Sequence, residues 1–220
     1  MAYFHYTLPC IEITGICQYG CTLLCNEIMT RSYTLKRRAE QQAGTRLRIV
    51  EAAVELHGQF GPAQTTLSMV AERAGVQRHT LYAHFPDERS LLMACSGLTL
   101  ERDALPDASV WRTIADRNER LRTGLAALYA WFERNADLIG CVLRDAEFHP
   151  LTREVSDLRM GPSMAACAEV LGVKLNARQR AMLQLALSFF TWRTLARDSG
   201  LKSAAAAKAM AHAIEGASEA

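Results

Sequence analysis

Thr65, Thr66, Gln77, Arg78, His79, Thr80, Tyr82 and His84 crowd one short stretch of the chain with hydroxyls, an amide, imidazoles and a guanidinium. Those are the groups that grip phosphate oxygens and read base edges in a DNA groove. Covalent chemistry has little foothold. No G-x-S-x-G, H-E-x-x-H or phosphate-loop motif occurs, so no catalytic residue is assigned and no enzyme is expected. Cys17, Cys21 and Cys25 recur at four-residue spacing, which on a helix would gather three thiols on one face. The spacing is not that of a metal ribbon and no histidine follows closely. The expectation is therefore no metal and no cofactor, with a metal-binding protein using these cysteines as an alternative.

The polar residues from 65 to 84 need a scaffold, and the residues between them supply one. Thr65 or Thr66 can cap a helix whose inward face is Leu67, Val70, Ala71 and Ala74, and Gly75 stands where a left-handed residue ends it. Val76 plugs the corner. A second helix buries Leu81 and Phe85 at i, i+4 and turns Gln77, Arg78, His79, Thr80, Tyr82 and His84 outward. A small residue at the crossing, a turn glycine four places on and an apolar anchor beyond it are the register of a helix-turn-helix over 65–85. A helical hairpin used only for packing is the alternative.

Arg48-Ile49-Val50-Glu51-Ala52-Ala53, Leu56, Gly61, Thr66, Ala71, Ala74-Gly75-Val76, Thr80-Leu81-Tyr82, His84-Phe85 and Leu91-Leu92 together resemble the amino-terminal domain of the tetracycline-repressor (TetR) family of bacterial transcriptional regulators. The resemblance implies that Thr65 or Thr66, Tyr82 and His84 hold the phosphate backbone while Gln77, Arg78 and His79 face bases. Four positions depart from the pattern it implies. An aromatic is usual at His57, a serine cap at Gln77, often a glycine at His79, and a phosphate-binding lysine at Glu88. Glu88 would repel phosphate, and it is the one hint of another alternative, a ligand-binding or interaction protein without DNA activity.

A chain of 220 residues, half of them hydrophobic, can bury a full core. Its formal charge is only +2, so the distribution of charge matters more than its sum. Arg31, Lys36, Arg37, Arg38, Arg46 and Arg48 form a basic lead-in that could reach DNA phosphates or remain a solvated tail. Residues 1–28 carry no Lys or Arg, and Glu12, Pro9 and Gly15 interrupt them, so neither export nor a membrane span is expected. Residues 1–41 are expected to lack structure, with Met29 an alternative start. Cys95, Cys141 and Cys167 are expected to be small core residues of a reducing cytoplasm.

The fold expected is all-α: an amino-terminal three-helix helix-turn-helix DNA-binding domain over 42–102, then a carboxy-terminal helical ligand-binding and dimerisation domain over 106–220. Helical spacing places helices at about 45–59, at 110–134 and at 138–148, with a break at Gly161-Pro162, a long apolar helix at 178–197 and an alanine-rich one at 203–217. The resemblance implies an effector pocket, for which Trp111, Tyr129, Trp131, Phe132, Phe148, Met160 and Met164 are the candidate lining, with Arg144, Asp145, Glu147 or His149 as polar anchors. Plain core is the alternative for these residues. The resemblance also implies that the last two helices pair with their twofold copies, through Met182, Leu185, Phe189, Trp192, Met210 and Ile214. Closing the monomer's own core is the alternative. The expected whole is a cytoplasmic, homodimeric regulator, a repressor released from a palindromic double-stranded DNA operator by an apolar or aromatic small molecule.

Overall fold

The computed structural model describes residues 20–218, with side chains from residue 35 onward. Cys17 lies outside the described residues, and Cys21 and Cys25 outside the described side chains. Among the described residues every regular element is a helix. The chain packs as two units divided between Thr45 and Arg46.

Of the first unit, what is described is the leading part of α1 (Gly20–Gln59). The sequence leads one to expect a helix start near Thr45, after an unstructured arm. From Leu35 to Gln42, however, the chain is built from Leu, Lys, Arg, Ala, Glu and Gln, all strong helix formers, with no proline to stop the helix.

The second unit contains two hydrophobic cores. One joins Ile49, Ala53 and Leu56 of α1, Val70 and Ala71 of α2 (Leu67–Arg73), Leu81 of α3 (Arg78–His84), Phe85, and Leu91 and Cys95 of α4 (Glu88–Arg102). These are the apolar positions that the helix-turn-helix pattern requires, and they are buried. Phe60, expected on the same stripe, is 43% exposed. The helix has already ended at Gln59, and Gly61 turns the chain away at φ 94°, a conformation open to glycine but strained for other residues. Asp87 caps α4, its carboxylate accepting from the Ser90 amide at 2.7 Å.

The other core lies in α5 (Arg117–Arg134), α6 (Ala136–Ala146), α7 (Pro150–Leu171), α8 (Ala177–Ala186), α9 (Phe189–Arg193) and α10 (Ser203–Gly216). Three expectations are corrected here. The pattern at 110–134 begins as a separate 3₁₀ turn, Ala108–Thr113, and Asp116 caps α5 proper through the Glu119 amide. Gly161-Pro162 does not break α7. Pro162 is on the exposed side, where the carbonyl it leaves unpaired can face water, while Val155, Cys167 and Val170 anchor the helix on both sides. The apolar run 178–197 is not one helix: Leu187 ends α8, and the Ser188 hydroxyl starts α9 by accepting from the Phe190 amide at 3.2 Å.

Candidate nucleic-acid interface and the cavity behind it

Gly75, at φ 65°, makes the corner between α2 and α3, and its amide returns to the Glu72 carbonyl at 3.1 Å. With Leu81 and Phe85 buried beneath it, α3 leaves Gln77, Arg78, His79 and Tyr82 exposed, the last by 50%, and Thr80 and His84 half-buried. The structure thus brings six of the expected residues to one surface. Gln77 is the N-cap of α3 but makes no side-chain capping bond, which leaves its amide free for other partners.

The two threonines differ in what they can still do. Thr65 donates its hydroxyl hydrogen to the Gly61 carbonyl at 2.8 Å. Thr66 caps α2 by accepting from the Met69 amide at 3.3 Å and so keeps its own hydrogen to give. A phosphate oxygen only accepts, which makes Thr66 the better suited of the two.

Arg46, which the sequence left in the arm, supports the carboxy-terminal end of α3. Its guanidinium stacks 4.1 Å from the Phe85 ring centroid, and Nη1 donates to the His84 carbonyl at 3.2 Å. A cation there satisfies a carbonyl at the carboxy-terminal end of α3 and suits the negative end of its dipole. No local spacing signals this, because the partners are 38 residues apart. Glu88, in place of a phosphate-binding lysine, has its Oε1 3.8 Å from His149 Nε2, and Arg89 turns to Glu154 at 2.8 Å. Both residues of this first turn of α4 therefore face α7.

Further ties join the reading head to the helices behind it. Asp145 of α6 is wholly buried. Its Oδ1 accepts from Arg144 Nε at 2.8 Å and its Oδ2 accepts from the Ala63 amide at 2.9 Å, just before α2. Arg144 in turn donates to the Phe60 carbonyl at 2.8 Å. On the other flank, Arg159 of α7 donates to the Met93 carbonyl of α4 at 3.0 Å.

Between these ties lies a cavity of about 70 Å³, with Val54, His57, Leu92 and Cys95 on the head side and Leu138, Ile139, Val155 and Arg159 behind. Of the expected pocket residues, Met160 lines it and the others do not. Trp111, Tyr129 and Phe132 are buried in the rear core, Met164 is half-buried against it, and Phe148 is 63% exposed. Trp111 packs with this core from the 3₁₀ turn, and Tyr129 donates to the Ala186 carbonyl at 3.0 Å, so the core already uses these aromatic side chains. Of the expected polar anchors, Asp145 and Arg144 bind the head's backbone, while His149 pairs with Thr152 at 2.7 Å. Glu147 offers its carbonyl to Arg153.

The expected interface residues also divide. Phe189, Trp192, Met210 and Ile214 are buried within the monomer and Met182 is half-buried, whereas Leu185 is 51% exposed. The two apolar faces of this region meet partners in their own chain. Phe189 packs edge-on against Phe132 with centroids 5.5 Å apart, Trp192 donates to Ser203 at 3.0 Å, and α10 packs along α5.

Residues 49–95 match the family model described as bacterial regulatory proteins, tetR family. An HTH-type transcriptional regulator of Mycobacterium bovis is 31% identical over 195 residues, covering 81% of this chain and 96% of that protein. Among solved structures, the TetR family transcriptional regulator PfmR from Thermus thermophilus superposes with a TM-score of 0.57 at 22% identity, over 79% of this chain and 100% of that one. The transcriptional regulator FadR from Bacillus subtilis, solved in complex with stearoyl-CoA, gives 0.55 at 18% identity, over 76% and 96%.

Proposed function

Because this chain belongs to the tetR family of bacterial regulatory proteins and is a DNA-binding transcriptional regulator, we propose that it acts as a homodimeric repressor released from a palindromic operator by a small molecule. The cavity at the junction carries this reading. It is apolar, it borders the reading head on one side and α6 and α7 on the other, and the ties flanking it end at the approach to α2 and on α4. A molecule that parts those walls would tilt the recognition helices, which must stand about 34–36 Å apart across a dimer to enter successive major grooves. FadR, a neighbour in fold, is a regulator that holds a ligand with an acyl chain, which supports an apolar effector. Residues 42–102 would serve as the DNA-binding domain and 106–220 as the effector and dimerisation domain. The relatives are regulators rather than enzymes, and DNA places the work in the cytoplasm; no described helix is long and apolar enough to cross a membrane.

On the reading surface, Gln77, Arg78 and His79 would face bases, with Thr66, Thr80, Tyr82 and His84 on phosphates and Thr65 supporting them. Arg78→Ala is expected to cost about 1–3 kcal/mol on the preferred operator and to relax its sequence preference. Tyr82→Phe should weaken all sequences alike. The operator is first recovered by sequencing genomic fragments bound to the purified protein, and affinities are then compared at fixed salt. Parent-like binding by both variants would remove α3 from the groove.

For the dimer, the exposed faces of the last helices are the surface to test. α10 presents Ala205, Ala209 and Ala213 at four-residue spacing and α8 presents Ala181 and Leu185, a combination that lets helices approach closely. Leu185→Glu and Ala209→Arg are expected to give a folded monomer with weakened operator binding. Core residues such as Phe189 do not serve this test, since charging them would unfold the chain. Sedimentation showing an unaltered dimer for both variants would move the interface elsewhere.

A further inference from the structure

His57 stands where the resemblance leads one to expect an aromatic, and no partner in its surroundings accounts for its polar edge. It is 5% exposed, it lines the junction cavity, and among the described residues no group hydrogen-bonds its ring. Burial pushes its pKa down to about 4, against the pull of Asp145, so the ring is neutral at pH 7 and presents both an acceptor nitrogen and an N–H donor, a pair that a hydroxyl can meet with its hydrogen or its oxygen. A buried imidazole with an unused acceptor, set in an apolar wall, is a site for a hydrogen-bond donor.

The charges around it select the kind of donor. Asp145, although paired with Arg144, acts on His57 against an anion, and Arg159 at the same cavity keeps its charge but spends Nη2 on Met93 and Nε on Ser96, bonds that an anion would have to displace. A purely apolar molecule would leave the imidazole acceptor unpaired. What remains is a neutral hydroxyl on an apolar body. Val54, Leu92, Leu138 and Val155 fit such a body, and the Cys95 thiol and Met160 thioether are soft neighbours for an aromatic face.

We propose that the junction cavity binds a small phenol, its hydroxyl donating to His57 and its ring lying among the apolar side chains of α1, α4, α6 and α7. This rests on the reading of the chain as an effector-released regulator, and it names the effector's class. Size supplies the mechanism. An apolar cavity of about 150 Å³ is what benzene occupies, roughly twice the space present here. A phenol therefore enters only as the head moves away from α6 and α7, which strains the Asp145–Ala63 and Arg159–Met93 bonds.

The test is calorimetric titration of the full chain with phenol, toluene and benzoate, followed by phenol titration of the protein on its operator. Phenol is expected to bind at least about tenfold more tightly than toluene, the worth of one hydrogen bond to a buried acceptor. Benzoate should be the weakest. His57→Phe should bind phenol and toluene alike while melting no lower than the parent, and Val142→Trp, which fills the cavity, should bind neither. Equal affinity for phenol and toluene in the parent, benzoate as the tightest of the three, or no binding at all would overturn the proposal. Phenol binding that leaves operator affinity unchanged would support the site and overturn the effector reading.

Discussion

Gly61→Ala is expected to destabilise the protein by about 4 kcal/mol, the sum of strain at a glycine-only conformation and loss of charge-assisted hydrogen bonds. Gly61 sits at φ 94° and ψ 155°. A Cβ there would lie 2.2 Å from Asp145 Oδ2 and 2.3 Å from Arg144 Nη2. The carboxylate has nowhere to retreat, since one oxygen is held by Arg144 and the other by the Ala63 amide in a wholly buried position. The alanine therefore releases the turn that leads into α2, and operator affinity should fall with stability. Gly44→Ala is the control: it lies inside α1, away from any proline and with nothing near its Cβ position, and should gain about 0.5–1 kcal/mol. Urea denaturation measures both. A Gly61→Ala protein within about 0.5 kcal/mol of the parent, the range of an ordinary surface change, would mean that Asp145 does not hold the turn in solution.

Stability should also fall by about 3 kcal/mol as pH drops from 6.5 to 4, through His57 alone. The sign follows from where the proton prefers to be. In the unfolded chain the imidazole titrates near its ordinary 6.5, and in the folded protein burial holds it to about 4. Between those values the unfolded state binds the extra proton, so acid favours unfolding, and the loss is complete below the folded value. Asp145, paired with Arg144, acts on this ring from α6, and Arg159 shares its cavity from α7; only Asp145 opposes the shift. Asp103 and Asp107, held below the usual carboxylate range by Arg134 and by Ser109, lose their contribution at lower pH still. His57→Phe should flatten the denaturation midpoint between pH 6.5 and 4 and leave the acid limb in place. An unchanged slope in that variant would assign the titration to another group.

The reading surface was legible because its logic is local. Leu67, Val70, Ala71, Gly75, Leu81 and Phe85 fall within two short helices and a corner, and a helix's period of 3.6 residues fixes which side chains share a face. Once Val70, Ala71, Leu81 and Phe85 are inside and Gly75 makes the corner, Arg78, His79 and Tyr82 have to be outside, whatever the rest of the molecule does. The caps at Thr66, Asp87 and Asp116 are equally local, each bonding an amide three residues on.

Partnership between distant elements was not legible. Periodicity said that Phe189, Trp192, Met210 and Ile214 would be covered but not by what, and a neighbouring helix of the same chain satisfies an apolar face as well as a twofold copy does. Burial is non-directional, so apolar sequence fixes which residues hide and leaves open which surfaces meet. Directional groups settle that, and here they come together only in three dimensions. The Asp145 carboxylate reaches the Ala63 amide across 82 residues, Arg46 closes the end of α3, and His57 meets the cavity that α6 and α7 complete. The sequence alone determined an all-helical chain with a DNA-reading head. The tertiary structure decided where that head is held and where a ligand could loosen it, because a hydrogen bond to a buried charge depends on positions in space that no local spacing encodes.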